Sequence, residues 1–177
     1  MRILLNGLPL SNRYGIGRYT RNLTTGLARL EEVEVLALVR EEDDDLPPEV
    51  EQVELPMAFL NRVLLEQFVF PPLVREVDPD LYLGCDFTLP PLPGTPTAAV
   101  IHDMVPFEAP ESLSWRARML YRYFIPRTVA AAGLLVCDSR RTERKLIEFF
   151  PGAEGRTAVV RPPLEDVFLE NPSHVGP

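Results

Sequence analysis

Short apolar runs alternate along the chain with segments in which apolar residues recur every three or four positions. The runs are rich in aliphatic and β-branched residues and carry few charges, as in strands that are buried on both faces. The periodic segments have the spacing of helices that bury one face. We predict seven strands, at residues 2–6, 33–39, 50–55, 81–85, 97–101, 134–137 and 157–160.

Helical segments connect these strands, and we place them at residues 16–30, 59–77, 112–132 and 140–150. Pro71 and Pro72 interrupt the second segment, and we expect two helical pieces with a break there, because proline lacks the amide that a helix interior needs. Pro126 predicts a kink or a boundary in the third segment. Asp138 or Ser139 is expected to cap the fourth.

Strands that alternate with helices over the whole length predict an α/β fold with a doubly wound, mainly parallel sheet and helices on both faces. The segment 50–55 alternates in polarity and is expected to be an edge strand. In such a sheet, functional groups gather where the carboxyl ends of the strands meet. Candidate chemistry is therefore expected in the segments that directly follow strands.

The loop after the first strand is the first candidate site. Gly15, Ile16 and Gly17 open the first helix, whose free amides and positive dipole end favour an anion. A backbone without Cβ turns sharply and lets a phosphate approach closely, and Arg13 and Arg18 add positive charge beside it. The alternative is that both glycines only shape the loop, since a short glycine motif by itself is a weak signal.

His102 and Asp103 follow the fifth strand and form the second candidate site. An imidazole at a strand end can hold or remove a proton near neutral pH. The structural alternatives are a histidine bonded to a nearby carbonyl group and an aspartate that forms a turn. Since the glycine loop and His102 both follow strands, we predict that they share one crevice. The other histidine, His174, belongs to a tail rich in Pro, Gly and Ser.

Composition and charge argue against several classes of protein. The 177 residues are 46% hydrophobic, which suits one globular domain, and the formal charge of −8 argues against a nucleic-acid-binding protein. Cys85 and Cys137 lack the spacing of a metal site or a disulfide framework, so we predict no metal and expect buried thiols in a reduced, cytoplasmic protein. The longest apolar run, 129–137, is too short to cross a bilayer.

Basic residues crowd the later half of the chain, between Arg116 and Lys145. Arg116, Arg118 and Arg122 alternate with apolar residues, a pattern that suits peripheral contact with anionic lipid at the inner face of a membrane, or binding of a phosphorylated acceptor. The alternative is a set of exposed arginines on an ordinary packed helix.

Four motifs in a fixed order resemble the amino-terminal half of a family 4 glycosyltransferase. They are 15–23 (GIGRYTRNL), Glu66-Gln67 ahead of Pro71, 100–104 (VIHDM) with Pro110-Glu111, and 136–139 (VCDS) at the start of a helix. Several motifs in order are far more specific than any one of them. The resemblance covers residues 1–168. It implies one half of a GT-B fold, in which two Rossmann-like domains face each other across the active site.

The resemblance also implies a donor and the residues that contact it. The donor would be a nucleotide-sugar, with no metal or other cofactor. The amides of Gly15, Ile16 and Gly17 would bind its diphosphate, while Arg13 and Arg18 are candidate contacts for the acceptor or an anion.

Catalysis is implied to proceed with retention of configuration at a hexose-type sugar. His102 would approach the transferred sugar, and Asp103 beside it is the second catalytic candidate. The leaving phosphate then needs charge stabilisation more than the protein needs a nucleophile. The acceptor would be a sugar, a lipid-linked compound or another small molecule.

The chain departs from the family pattern in three places. The donor-binding carboxyl-terminal domain is missing from these 177 residues, and 169–177 read as a tail or the start of a linker. Residues 161–164 (RPPL) stand where the family often has Asn-Gly, and Asp138-Ser139 stands where a Ser-Glu pair is usual. We expect a truncated chain or a subunit that needs a partner domain, nearly inactive by itself.

Two other classes of function stay open at this point. A dinucleotide-binding dehydrogenase domain that uses NAD(P) would need a third glycine where Thr20 stands, and a glycine motif directly at the end of the strand. A non-catalytic docking module with the same fold is the second, because a fold does not fix a function.

Overall fold

The computed structural model describes residues 1–12, 15–56 and 61–162 of the chain. In this part, seven strands form one sheet in the order β3-β2-β1-β4-β5-β6-β7, with every neighbouring pair parallel. The strands are β1 Arg2–Asn6, β2 Glu34–Val39, β3 Val50–Glu54, β4 Leu81–Gly84, β5 Thr97–Ile101, β6 Leu134–Cys137 and β7 Thr157–Val159. The predicted strands are confirmed, and β3 is an edge strand as expected.

Helices connect β1 to β2, β3 to β4, β5 to β6 and β6 to β7, whereas loops connect β2 to β3 and β4 to β5. The helices are α1 Ile16–Ala28, α2 Arg62–Leu64, α3 Phe70–Val77, α4 Val105–Glu108, α5 Trp115–Ala131 and α6 Arg140–Phe149. A π-helical turn, Leu65–Val69, joins α2 to α3, and a 3-10 turn, Leu8–Ser11, lies between β1 and α1. Residues 59 and 60, where the second helix was predicted to begin, lie outside the described residues.

The prolines do not divide the helices as predicted. The segment 62–77 is helical throughout, because the π turn widens the helix just before Pro71 and Pro72, which then occupy the first turn of α3, where amide donors are not needed. α5 likewise continues through Pro126 without a boundary. Pro126 provides no amide for the carbonyl group of Arg122, which belongs to an exposed residue.

Helices cover both faces of the sheet, as predicted. Ile3 and Leu5 of β1 belong to the core beneath α1, together with Tyr19. Leu4 belongs to the opposite core, which also contains Phe70 of α3 and side chains of α5 and α6. The α/β, Rossmann-like fold class is therefore confirmed. From the face of the sheet that it covers, α1 approaches the carboxyl edge of β1.

Cys85 and Cys137 are buried free thiols that lie at or directly after the ends of β4 and β6. Burial raises the pKa of each to about 12. Both thiols therefore stay protonated near neutral pH and pack as small apolar side chains.

Candidate functional site

The carboxyl edge of the sheet brings the two predicted sites together. The start of α1 and the residues after β5 line one open cleft with a volume of about 290 Å³. The predicted convergence of the glycine loop and His102 is therefore confirmed. The lining residues are Gly15, Ile16, Arg18, Tyr19, Asn22, His102, Asp103, Asp138 and Pro162.

Gly15 has the geometry of an open approach to the backbone. Its φ is +51°, a conformation that L side chains rarely adopt, and a Cβ built on it would meet nothing within 4 Å. Gly15 is also the amino-terminal cap of α1, and within the described residues no side chain accepts a hydrogen bond there. The positive end of the α1 dipole thus faces the cleft beside backbone that a ligand can reach.

Gly17 is a glycine for a different reason. A Cβ on Gly17 would lie 1.6 Å from the carbonyl oxygen of Asn12 and 2.5 Å from that of Pro9. The residue is buried. Its missing side chain therefore lets α1 pack against the 3-10 turn that follows β1, whereas the space for a ligand lies at Gly15.

His102 is held on three sides. Its Nε2 lies 3.1 Å from the carbonyl oxygen of Cys85, and its ring makes edge contacts with Tyr19, at 5.1 Å between centroids, and Phe87, at 5.7 Å. A carbonyl oxygen can only accept a hydrogen bond, so Nε2 carries the proton. The other ring nitrogen, Nδ1, lies 3.9 Å from Oδ2 of Asp138.

Tyr19 and Asp138 complete the wall around the imidazole. The Tyr19 hydroxyl donates to the carbonyl oxygen of Val160, at 3.0 Å, which ties α1 to the end of the last strand. Burial, and then the nearby carboxylate of Asp138, raise the pKa of Tyr19 to about 12. Tyr19 is therefore a neutral hydrogen-bond donor near neutral pH.

The remaining predicted site residues have mixed placements. Asp103 lines the cleft, but its Oδ1 accepts a hydrogen bond from the Val105 amide, at 2.9 Å, so it also forms the turn that begins α4. Arg18 is exposed and lines the cleft. Arg13 and His174 lie outside the described residues.

Asp138 belongs to the cleft although its sequence position indicated only a helix cap. Ser139 is the cap of α6, since its Oγ accepts from the Thr142 amide at 3.1 Å. The Thr142 hydroxyl lies 2.9 Å from Oδ1 of Asp138 and 3.1 Å from the carbonyl oxygen of His102. Asp138 follows β6, the neighbour of β5, and the strand-end rule applied to β6 would have found it.

A second, larger cavity of about 480 Å³ lies between the 3-10 turn after β1 and the acidic segment 41–45. Arg21 crosses it to Asp43, at 2.5 Å. Within the described residues, no group of histidine, cysteine, aspartate and glutamate side chains could hold a metal ion. The ion pair between Arg21 and Asp43 therefore spans the cavity.

Comparisons with known proteins identify the family. The sequence model of Glycosyltransferase Family 4 matches residues 14–166. No curated protein matches the chain. Among solved structures, HepE from Anabaena, in complex with UDP and glucose, matches at 16% identity with a TM-score of 0.51, over 93% of this chain and 45% of HepE. This chain therefore spans less than half the length of HepE, and the likeness shows that it shares the α/β, Rossmann-like fold of part of that GT-B structure.

The dinucleotide-binding alternative loses support from the same geometry. A 3-10 turn separates β1 from the glycine motif, and Thr20, where a third glycine would be needed, is buried with its hydroxyl bonded to the carbonyl oxygen of Ile16, at 2.8 Å.

The family match covers most of the chain, including the glycine loop from Gly15 and His102. The chain therefore belongs to glycosyltransferase family 4.

Proposed function

We propose that this chain is the acceptor-side half of a retaining glycosyltransferase that moves a hexose-type sugar from a nucleotide-sugar to an acceptor. One observation carries the proposal: the start of α1 and the His102 imidazole line the same cleft. A helix amino terminus favours a phosphate, and an imidazole next to it reaches the sugar attached to that phosphate. The bound UDP and glucose of HepE support a uridine nucleotide and glucose as the first probes.

The diphosphate of the donor would lie at the start of α1. Amides of Gly15, Ile16 and Gly17 belong to the first turn, where a helix has no internal partners for its donors. Negative charge grows on the leaving diphosphate as the sugar departs, and the α1 dipole and these amides oppose that charge. Arg18, and Arg13 from the sequence, would add positive charge on the same side.

His102 would act on the transferred sugar through Nδ1 of its imidazole. Because Nε2 donates its hydrogen bond to the carbonyl oxygen of Cys85, Nδ1 would accept a hydrogen bond from a sugar hydroxyl. Asp103, on the cleft with one oxygen in a turn, is the second catalytic candidate. The proposal uses no metal and no cofactor, since charge on the leaving group is met by the helix and the arginines.

A second domain would complete this active site. HepE is more than twice as long as the matched region, and the family resemblance assigns nucleotide binding to the other half. We expect the 177-residue chain to bind a nucleotide-sugar weakly and to transfer sugar at a negligible rate without that domain. Its acceptor would be a sugar, a lipid-linked compound or another small molecule.

The test is an NMR titration of this chain with UDP-glucose, followed at the backbone amides. The signals of Gly15, Ile16 and Gly17 are expected to move together and to saturate, with a dissociation constant on the order of 1 mM, which corresponds to about 4 kcal/mol. Glucose alone is the control and is expected to leave these amides unmoved. Absence of saturable shifts at Gly15 with UDP-glucose would overturn the proposal.

A lipid-linked acceptor has one supporting observation, on α5. This helix carries four arginines and no acidic residue, and Trp115, Met119 and Tyr123 are 69%, 67% and 52% exposed. Because α5 runs back from the carboxyl edge to the start of β6, its first turns lie at the edge that holds the cleft. Within the described residues, the helices are all too short or too polar to span a bilayer, so contact would be peripheral, at the cytoplasmic face.

Vesicle co-sedimentation tests this contact. Binding is expected to be stronger to anionic than to neutral vesicles, and Arg116→Gln/Arg122→Gln is expected to weaken it about 25-fold, at about 1 kcal/mol per arginine. Arg29→Gln/Arg75→Gln removes two exposed arginines outside α5 and is the charge-matched control. Equal binding to both kinds of vesicle would remove the membrane contact from the account.

A further inference from the structure

A buried polar network lies behind the cleft and has no part in the function described so far. Its centre is Glu66, in the π turn between α2 and α3, which is 1% exposed. Asn6 contacts it from the end of β1, Thr88 from the loop after β4, and Arg62 from the same helical segment. A carboxylate at such a position is costly unless it is fully paired.

Glu66 is fully paired. Its Oε1 accepts hydrogen bonds from Nδ2 of Asn6, at 2.9 Å, and from Nε of Arg62, at 2.8 Å. Its Oε2 accepts from the hydroxyl of Thr88. Burial raises the pKa of Glu66, while the Arg62 charge and these three donors oppose the rise. The network is thus built around a carboxylate whose two oxygens accept three hydrogen bonds.

Arg62 connects this network to the loop after β4. Its Nη2 donates to the carbonyl oxygen of Asp86 and to the hydroxyl oxygen of Thr88, each at 3.0 Å, and its Nη1 pairs with the Asp86 carboxylate. Together with the bond from Thr88 to Glu66, these contacts fix both ends of the segment 86–88. One planar guanidinium group therefore holds a backbone carbonyl group and two side chains of the same loop.

The same loop holds His102 from its other side. The carbonyl oxygen of Cys85 accepts a hydrogen bond from Nε2 of His102, and the Phe87 ring makes an edge contact with the imidazole. Phe87 has a φ of +29°, in the left-handed region that L residues avoid. The loop therefore contacts the imidazole in a conformation that its own backbone does not favour, and outside contacts must maintain it.

We propose that Arg62 and Glu66 are positioning residues that act through the 85–88 loop to keep His102 in one orientation and one tautomer, with the proton on Nε2 and Nδ1 on the side of Asp138. The role in sugar transfer rests on the proposed function, whereas the effect on the tautomer is a property of this chain alone. Neither Arg62 nor Glu66 lines the cleft, so neither touches the reacting atoms.

The test uses the fact that the chain contains only two histidines. His174→Gln leaves His102 as the single imidazole, and histidine labelled with nitrogen-15 then reports which ring nitrogen carries the proton in alkaline buffer, where imidazole is neutral. Thr88→Val keeps both charges of the network and removes the hydroxyl that joins Glu66 to the loop. Arg62→Met removes the guanidinium group. Arg156→Met is the matched control. Arg156 also donates to backbone carbonyl groups, those of Val129 and Gly152, but it directly precedes β7, the outer strand at the side of the sheet opposite to β3.

We expect the Nε2–H tautomer in the single-histidine chain and in its Arg156→Met variant. Thr88→Val and Arg62→Met are each expected to shift the tautomer ratio toward Nδ1–H by about fivefold, the change that matches loss of one ordinary hydrogen bond. If Arg62→Met fails to fold, Thr88→Val decides. A proton on Nδ1 in the starting chain, or an unchanged ratio in Thr88→Val, would overturn the proposal. An intact tautomer in a chain that binds no nucleotide-sugar would overturn the proposed function alone.

Discussion

Replacing His102 with alanine in a chain that also carries the proposed second domain is expected to lower kcat for sugar transfer by about 100-fold or more. The loss follows from removing the group proposed to contact the transferred sugar. Stability should fall by only about 2 kcal/mol, since among the described residues the imidazole makes one hydrogen bond, two ring contacts and a 3.9 Å approach to Asp138. Initial rates at saturating donor, together with thermal unfolding, separate the two effects.

Asp103→Asn is the control for this prediction at the neighbouring position. Asparagine keeps an oxygen that can accept from the Val105 amide, so the turn is preserved while the charge is lost. A large fall in kcat would support the catalytic assignment of Asp103, and an unchanged kcat would assign it to the turn alone. Full turnover in the His102→Ala variant would contradict the catalytic assignment of His102.

Gly17→Ala is expected to destabilise the chain by at least about 3 kcal/mol. The new methyl group would lie within 1.6 Å of the Asn12 carbonyl oxygen, and relief requires movement of backbone, either in α1 or in the turn after β1. For a domain of this size, the melting temperature should fall by about 6–12 °C. Scanning calorimetry measures it directly.

Two other glycines provide matched controls for that prediction. Gly26, in the same helix, is exposed and has nothing within 4 Å of a built Cβ, so Gly26→Ala should raise stability by about 0.5–1 kcal/mol. Gly15→Ala should cost about 1–2 kcal/mol, from its φ of +51° alone. A Gly17→Ala variant as stable as the original chain would show that the contact with Asn12 does not restrain the fold.

The strands and the position of the cleft could be predicted because they depend on periodic patterns. The short apolar run 97–101, bounded by turn residues, favours a buried strand, and the ends of parallel strands meet at one edge. The pattern therefore predicts that His102 and Gly15 lie together at this edge. The family resemblance agreed with this placement, and the family match confirmed the resemblance.

The parts that could not be predicted depend on tertiary contacts without a local signal. The reason for glycine at position 17 is the carbonyl oxygen of Asn12, which reaches it only after the 3-10 turn has folded back. Thr88 lies 22 residues from Glu66 and 26 from Arg62, so no periodicity joins them. Pro71 predicts a break in the helix. The structure accommodates this proline after a π turn, and no sequence pattern reports such a turn.

The central claim is that the α1 end of the cleft binds the diphosphate of a nucleotide-sugar. The most direct test titrates the 177-residue chain in parallel with UDP-glucose, UDP and uridine and follows every resolved backbone amide by NMR. The account predicts saturable shifts at Gly15, Ile16 and Gly17 with both diphosphates and none with uridine, and weaker binding in Gly15→Ala, which places a methyl group in the open space of the cleft. Shifts confined to the acidic segment 41–45 around the second cavity, with Gly15 unmoved, would contradict it.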